Sequence, residues 1–199
     1  MKHLYTFFFP FFLLACAGPQ VNSGLPIITE SDYQSVIEKN TQRSQKYSGL
    51  ANTLDVQATI LNSTVSAGQS DQYARIYQWN AQQWNEDKIK SEQKLAQKSE
   101  FFVSFYTPER KHNDLHKNKT LWKIFLDTGS QRYEGKATKV KLLTEEVRRF
   151  YPYYTKFTTP YLIEFPVSMK SIEGKDLKLT ITGTVGSAQL LFAPVTGLK

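Results

Sequence analysis

Apolar and polar residues alternate along several stretches of the chain. Between residues 50 and 60 the apolar side chains fall on even positions, at Leu50, Leu54, Val56, Ala58 and Ile60. The same period of two returns at Leu177, Leu179 and Ile181, between lysines and threonines. This period is typical of a strand with one buried face and one face toward solvent. Related runs predict strands at 101–106, 121–126, 132–142, 161–165, 177–185 and 189–192.

Two other stretches follow the period of an α-helix. Ser31 and Gln34 have the spacing of a capping box and predict a short N-terminal helix. A long helix is predicted at about 70–98, where the apolar face carries Tyr73, Ile76, Tyr77, Ala81 and Trp84. Beyond Trp84 this stripe thins to Ile89 and Leu95. We therefore expect the second half of the helix to be exposed, or to be covered by a partner protein of the cell envelope.

A strand, a helix and then many strands do not repeat as strand-helix-strand units. The order predicts an α+β fold that is mainly β: an antiparallel β-sandwich with one long helix at about 70–98 and a short N-terminal helix. Apolar residues make up 40% of the chain, which indicates a folded globule rather than a disordered stalk.

The first sixteen residues, MKHLYTFFFPFFLLAC, follow a different pattern. A weakly basic start precedes an apolar run of about twelve residues, whereas a helix needs about twenty to cross a bilayer. Small residues end the run, which is the arrangement of a secretory signal peptide. The segment Leu13-Leu14-Ala15-Cys16 resembles the lipobox of bacterial lipoproteins.

The lipobox resemblance implies that residues 1–15 are removed and that Cys16 carries a diacylglyceryl group and fatty acyl chains such as palmitate. Several acyl chains together give stable membrane anchoring. Cys16 is the only cysteine, so it has no disulfide partner within the chain. The alternative is an ordinary secreted protein with a cysteine near its cleavage site. Because Ala17 and Gly18 follow the cysteine instead of Asp, the resemblance implies the outer membrane, facing the periplasm.

Residues 16–26 are rich in Gly, Pro, Ser and Asn and predict a flexible tether, which leaves residues 27–199 as one domain. The formal net charge of the chain is +7. An exported protein of this charge is expected to meet anionic lipid headgroups, lipopolysaccharide phosphates or cell-wall polymers rather than nucleic acid. The short basic runs are typical of a solvated surface and lie at Arg110-Lys111, Lys117-Asn118-Lys119 and Lys139-Val140-Lys141.

One segment resembles a catalytic motif. The residues from Ile124 to Ser130 resemble the aspartic protease signature, in which apolar residues precede Asp-Thr-Gly-Ser. The chain has no second copy of the motif, so the resemblance implies a homodimer in which two Asp127 carboxylates share a proton. The same residues favour a simple hairpin turn.

His112 and His116 are four residues apart, and on a helix they could bind one zinc ion with Glu109 or Asp114. The metalloprotease motif needs a glutamate beside the first histidine, and Asn113 stands there instead. The surrounding lysines also disfavour a cation. We therefore predict a solvated loop and no metal.

Basic and aromatic residues interleave between 148 and 157. If this segment is exposed, it is the best candidate for a ligand or partner surface, formed by Arg148, Arg149, Tyr151, Tyr153, Tyr154 and Lys156. Aromatic faces stack on sugar rings, and cations contact phosphates. If the segment is packed, the same rings belong to the core.

The chain offers few residues for catalysis, since it has no Gly-rich phosphate loop, no Cys-His pair and no serine-centred elbow. No cofactor is predicted. The sequence favours a non-catalytic, lipid-anchored envelope protein that binds or assembles with a partner. Two alternatives stay open: a dimeric hydrolase at Asp127, and a site for cell-wall glycan or lipopolysaccharide at the aromatic and basic segment.

Overall fold

The computed structural model describes residues 24–194, which form five helices, nine strands and one 3-10 turn (Arg110–His112). The helices are α1 (Glu30–Lys39), α2 (Ser63–Tyr77), α3 (Ala81–Gln97), α4 (Thr144–Phe150) and α5 (Met169–Ile172). The strands are β1 (Thr41–Ser48), β2 (Ala51–Ile60), β3 (Ser99–Tyr106), β4 (Trp122–Asp127), β5 (Arg132–Glu134), β6 (Lys136–Lys139), β7 (Thr159–Phe165), β8 (Leu177–Gly183) and β9 (Gly186–Phe192). The predicted signal peptide and Cys16 lie outside the described residues.

The strands form two antiparallel sheets, which makes the fold α+β. The five-stranded sheet has the order β1-β2-β3-β7-β6, and the four-stranded sheet has the order β5-β4-β8-β9. In the centre of the first sheet Val103 pairs with Tyr161, and in the second Leu126 pairs with Leu179.

One cluster of buried side chains draws on both sheets. Alternate residues of strands in both sheets contribute to it: Val56, Phe101, Val103, Phe105, Ile124, Leu126, Tyr161, Ile163, Leu179, Ile181 and Leu190. The period of two in the sequence therefore marks the strand faces that meet in this cluster. Each large apolar side chain removed from water contributes about 1.5–3 kcal/mol, so this cluster is the main source of stability.

Helices cover the other face of the five-stranded sheet. Phe102 of β3 belongs to a second buried cluster with Tyr33 and Ile37 of α1 and Val65 of α2. The Tyr33 hydroxyl donates a hydrogen bond of 2.9 Å to the carbonyl oxygen of Phe150, which ties α1 to the end of α4. Because β3 is covered on both faces, it is buried along almost its whole length, Ser99, Glu100 and Ser104 included.

The prediction of one strand at 132–142 is wrong, because the chain changes sheet inside that stretch. β5 pairs with β4, whereas β6 pairs with β7 in the other sheet. Gly135 lies between them, and its N–H donates a 2.8 Å hydrogen bond to the carbonyl oxygen of Ile124. A Cβ at this position would lie 2.5 Å from Cε1 of Phe165, so glycine is needed where the backbone approaches the core so closely.

The prediction of one long helix at about 70–98 is also wrong, since α2 ends at Tyr77 and α3 begins at Ala81. Gln78 adopts a left-handed conformation with φ 52°, which ends an α-helix. Asn80 then caps α3, because its Oδ1 accepts a 2.9 Å hydrogen bond from the N–H of Gln83. The Gln83 side chain accepts a reciprocal bond of 3.0 Å from the N–H of Asn80.

The predicted short N-terminal helix is present as α1, with Thr29 rather than Ser31 as its cap. Both buried clusters consist of side chains between Ile28 and Phe192. A chain that begins at Gly24 therefore contains both buried clusters of the described residues, and we expect it to fold on its own. None of the helices in the described residues is long and apolar enough to cross a membrane.

Candidate functional site: a basic cleft beside the aromatic segment

The aromatic residues of the segment 148–157 lie mostly in the core. Tyr151 and Tyr154 are buried, and the Tyr151 ring stacks on Phe102 with the ring centroids 3.5 Å apart. Gln69 Nε2 donates a 2.7 Å hydrogen bond to the Tyr151 hydroxyl, and burial raises the pKa of that hydroxyl well above its usual range. Of the two alternatives, exposed or packed, the packed one holds for these two tyrosines, because both rings belong to the buried cluster on the helical side of the sheet.

Tyr153 is half-buried, and its hydroxyl lies 2.6 Å from Thr59 Oγ1 of β2 in a hydrogen bond. Burial raises the pKa of this hydroxyl as well. The cationic members of the predicted surface behave differently, since Arg148, Arg149 and Lys156 are exposed. Arg149 forms an ion pair of 3.7 Å with Glu30. The six predicted residues therefore do not form one surface.

A cleft of about 350 Å³ opens next to this segment. It forms where the end of β6 meets the start of β7, and the N–H of Val140 donates a 3.0 Å hydrogen bond to the carbonyl oxygen of Pro160 at this point. The 3-10 turn after β3 supplies a further wall. The lining residues are Arg110, Asn113, Lys139, Val140, Leu142, Tyr154, Lys156, Phe157, Thr158, Thr159 and Pro160.

Hydrogen bonds fix the walls of this basic cleft. Thr158 Oγ1 accepts a 2.6 Å bond from Ser104 Oγ of β3 and donates a 2.9 Å bond to the carbonyl oxygen of Thr155. On the other wall, Asn113 Oδ1 accepts bonds from the N–H and the hydroxyl of Thr107, at 2.9 Å and 2.6 Å. A site held in this way loses little conformational freedom when a ligand enters.

Three cations surround the basic cleft without acidic partners. Arg110, Lys139 and Lys156 take part in no ion pair with any residue in the described part of the chain. No Asp or Glu is among the lining residues. Glu109, the acid next to Arg110, pairs instead with Lys111 at 2.6 Å. The cleft is therefore electropositive, and it is suited to hold an anion.

The side chains that line the basic cleft are mainly hydrogen-bond donors. Carboxylate, imidazole and thiol groups, which serve as general bases and nucleophiles, do not occur among the residues that line the basic cleft. Its polar groups are ammonium, guanidinium, hydroxyl and amide groups, which donate hydrogen bonds to oxygen anions.

Asp127 of the protease-like motif lies at the end of β4. Its carboxylate accepts hydrogen bonds of 2.6 Å and 3.1 Å from Arg132 and lies 3.5 Å from Lys178 Nζ. The Arg132 guanidinium, followed by Lys178, lowers the pKa of this carboxyl. Proton sharing between two aspartates needs a carboxyl that stays protonated, and this ion pair favours the opposite state. Gly129, with φ 82°, forms the turn that follows.

The contacts around the two histidines are those of a structured loop. The carbonyl oxygen of His112 accepts a 2.7 Å hydrogen bond from Trp122 Nε1, and Asp114 accepts one of 2.8 Å from Thr120. Residues 24–194 contain no group of three or more side chains that could hold a metal ion.

Arg110 and Lys139 were overlooked as site residues, because their short basic runs are like those of any solvated surface. Lys156 and Tyr154 belong to the predicted surface and line the cleft, whereas Arg110 and Lys139 were not part of that surface. Arg110 and Lys156 are far apart in sequence, and only the pairing of β6 and β3 with β7 brings their segments together. A local pattern carries no signal for this arrangement.

No family model matches the chain, and neither a curated protein nor a solved structure matches it significantly.

Proposed function

We propose that the protein is a lipid-anchored, non-catalytic component of a bacterial cell envelope, and that the basic cleft binds phosphate-bearing ligands. The observation that supports this proposal is the convergence of Arg110, Lys139 and Lys156 on one cavity without acidic partners. Like charges without counterions repel one another, so an anion that enters between them is strongly favoured. Lys and Arg then donate charge-assisted hydrogen bonds to its oxygens.

The ligand class follows from charge and size. A volume of about 350 Å³ lies in the range of about 300–1,000 Å³ that small-molecule sites occupy. It would accommodate a phosphorylated headgroup or a phosphorylated sugar. Envelope lipids, lipopolysaccharide and phosphate-containing cell-wall polymers all present such groups, and phosphate is the chemistry that they share.

The location rests on the segment that ends in Cys16, which resembles a lipobox. We further interpret the two sheets as the layers of an antiparallel β-sandwich, because one buried cluster draws on both. Such a frame would hold the basic cleft rigidly near the membrane. By the lipobox resemblance, the outer membrane facing the periplasm is the proposed site.

A titration with inorganic pyrophosphate tests the basic cleft. In NMR spectra of the protein from Gly24 onward at low salt, the amide signals of Asn113, Val140 and Thr158 should shift with pyrophosphate concentration. A variant that combines Arg110→Gln, Lys139→Gln and Lys156→Gln should lose these shifts.

The matched control combines Lys39→Gln, Lys46→Gln and Lys90→Gln. These lysines are exposed, and their loss changes the net charge by the same amount. The control should keep the pyrophosphate shifts. Equal weakening in both variants would show that net charge alone attracts the anion, and an absence of shifts in the unaltered protein would refute the site.

The anchor is tested separately in a bacterium that expresses the full-length protein. Radioactive palmitate should be incorporated into the protein, and Cys16→Ser should abolish the incorporation and release the protein from membranes. Retained labelling in the Cys16→Ser protein would contradict the lipobox.

The exposed side of α3 supports assembly with a partner protein as a second function. Leu95 is the buried residue of this helix, and Ile89 is 59% exposed. A photoreactive residue at position 89 should crosslink to one defined envelope protein in cells, whereas the same residue at exposed position 191 should not. Equal labelling from both positions would contradict the assembly role.

A further inference from the structure

The edge of the basic cleft carries large apolar side chains that face solvent. Leu142 is 52% exposed, Leu143 is 70% exposed and Phe157 is 66% exposed. We call these three residues the cleft rim. Leu142 and Phe157 line the basic cleft directly, and Leu143 follows next in the chain. Single exposed apolar residues are common, but three together beside one cavity mark an interaction surface.

Cations lie next to the cleft rim. Lys156 Nζ is 5.5 Å from the centre of the Phe157 ring, and Lys139 and Arg110 line the same cavity as that ring. Lys141 is exposed next to Leu142 and has no ion pair within residues 24–194. Exposed apolar side chains beside unpaired cations suit an anionic lipid surface, where acyl chains lie beneath a layer of phosphates.

We infer that the cleft rim docks on an anionic phospholipid bilayer, with its three apolar side chains inserted among the headgroups and the basic cleft holding a lipid phosphate. This inference rests on the proposed function, because it identifies the phosphate that the basic cleft binds. On this inference the bound phosphate belongs to a lipid of the membrane rather than to a free molecule.

The position of the chain terminus is compatible with this docking. Glu30, at the start of α1, forms an ion pair with Arg149 near the end of α4, and α4 begins directly after the cleft rim. A helix rises about 1.5 Å per residue, so the length of α4 separates the two points by only about 10 Å. Ten residues, 17–26, could span at most about 36 Å if they were fully extended. A lipid on Cys16 would thus leave the cleft rim within reach of the same membrane.

The charge of the surroundings also permits docking. Glu145 and Glu146 follow the cleft rim in the first turn of α4. The Glu146 carboxylate accepts a 3.0 Å hydrogen bond from the N–H of Leu143, so this acid already has a hydrogen-bond donor within its own turn. The four cations Arg110, Lys139, Lys141 and Lys156 outnumber these two acids, so attraction to an anionic surface is retained.

Sedimentation with lipid vesicles tests the inference on the protein from Gly24 onward, which lacks the proposed lipid anchor. It should bind vesicles made of equal parts of phosphatidylglycerol and phosphatidylcholine, and it should not bind vesicles of phosphatidylcholine alone. Each cation near an anionic surface contributes about 1 kcal/mol. The variant with Arg110→Gln, Lys139→Gln and Lys156→Gln should therefore bind about 100-fold more weakly, and the Lys39→Gln, Lys46→Gln, Lys90→Gln control should weaken binding far less.

A second variant tests insertion. Leu142→Ala, Leu143→Ala and Phe157→Ala together should weaken vesicle binding at least about tenfold, because each side chain loses apolar area that would leave water. Leu191→Ala is the matched control, since Leu191 is 67% exposed on the four-stranded sheet. Thermal melting by circular dichroism shows which variants are folded before binding is compared.

The outcomes separate the two proposals. If pyrophosphate shifts the NMR signals but vesicles do not bind, the docking is refuted and the phosphate site stands. If neither pyrophosphate nor the vesicles bind, both the phosphate site and the docking are refuted. If the rim variant binds vesicles as tightly as the Leu191→Ala control, insertion is refuted. If the rim substitutions turn a dimer into a monomer in sedimentation velocity without changing vesicle binding, the rim is an interface between two copies, and the docking is refuted.

Discussion

Alanine at position 135 would test the point where the chain crosses from one sheet to the other. The added Cβ would lie 2.5 Å from Cε1 and 2.8 Å from Cζ of Phe165, and 3.1 Å from Cγ2 of Ile124. Carbon atoms in contact are about 3.5–4.0 Å apart, so the ring or the backbone must move by about 1 Å. The Phe165 ring is buried and meets Phe101 edge-on, with the centroids 5.7 Å apart, so a neighbouring ring restricts its movement.

Overpacking of a well-packed core costs about 1–3 kcal/mol. The clashing atoms belong to a rigid, buried ring rather than to the end of a flexible chain, so we expect the upper part of that range. Gly135→Ala should therefore lower the free energy of unfolding by about 2–3 kcal/mol. For a domain of this size the midpoint of thermal unfolding should fall by about 4–12 °C.

Urea unfolding of the protein from Gly24 onward, followed by tryptophan fluorescence, measures this cost. The control is Gly186→Ala, because a Cβ there would come no closer than 3.4 Å to Cδ2 of Leu54. The control should change the free energy of unfolding by less than about 0.5 kcal/mol.

The same substitution in a Phe165→Leu background identifies the cause. If the ring is responsible, Gly135→Ala should cost less than about half as much there, since the two residues are in contact and their effects are not additive. A Gly135→Ala protein as stable as the unaltered one, or an equal cost in both backgrounds, would refute the packing at the crossing.

Three further predictions concern single side chains. Gln78→Gly should raise the free energy of unfolding in urea by up to about 1 kcal/mol, because glycine tolerates the left-handed backbone; a loss of similar size would indicate a helix that continues through this position. Tyr151→Phe should lower the free energy of unfolding by about 1 kcal/mol, because it removes the acceptor of the Gln69 amide hydrogen bond. The pyrophosphate shifts in NMR spectra should stay unchanged; their loss would show that Tyr151 takes part in binding. Asp127 has a lowered pKa in the folded state, so its contribution to stability is present above its unfolded pKa of about 3.9 and is lost as the pH falls below that value. Melting temperatures measured from pH 6 to pH 2 should therefore fall less steeply in Asp127→Asn, and equal slopes would contradict the ion pair with Arg132.

Alternation of apolar residues was sufficient to locate most strands, because burial on one face selects every second residue. It failed for β1, whose sequence TQRSQKYS is almost wholly polar. This strand lies at the edge of its sheet, so hydrogen bonds to β2 rather than burial hold it in place, and such bonds leave no pattern in the side chains.

The two wrong elements had local signals that the apolar pattern outweighed. Gly135 stands alone inside a strand-like run, where an isolated glycine often marks a close approach of the backbone. Asn80 and Gln83 have the spacing of a capping box, whereas Gln78 gave no warning because glutamine rarely adopts a left-handed conformation.

The buried tyrosines and the basic cleft depend on tertiary structure. From the sequence Tyr151 could be either a stacking residue of a binding surface or a core residue. Its ring packs on Phe102, so it is a core residue. Likewise, nothing near Lys139 in the sequence indicates that Lys156 shares its cavity. Charges become a site only when distant strands pair, and a single sequence does not encode that pairing in a readable pattern.

The order in which the strands pair also determines how early the chain can fold. β3 ends at Tyr106, and its partner β7 begins only at Thr159. In the other sheet β4 pairs with β8, which also lies far along the chain. Pairs so distant in sequence must close long loops before they gain stability, which makes folding slow. While the protein is being synthesised, β1, β2 and β3 can pair early, because they follow one another in the chain. Neither sheet can be completed, however, until β7 and β8 have emerged, so the nascent chain is expected to expose the unpaired edges of β3 and β4 in the meantime.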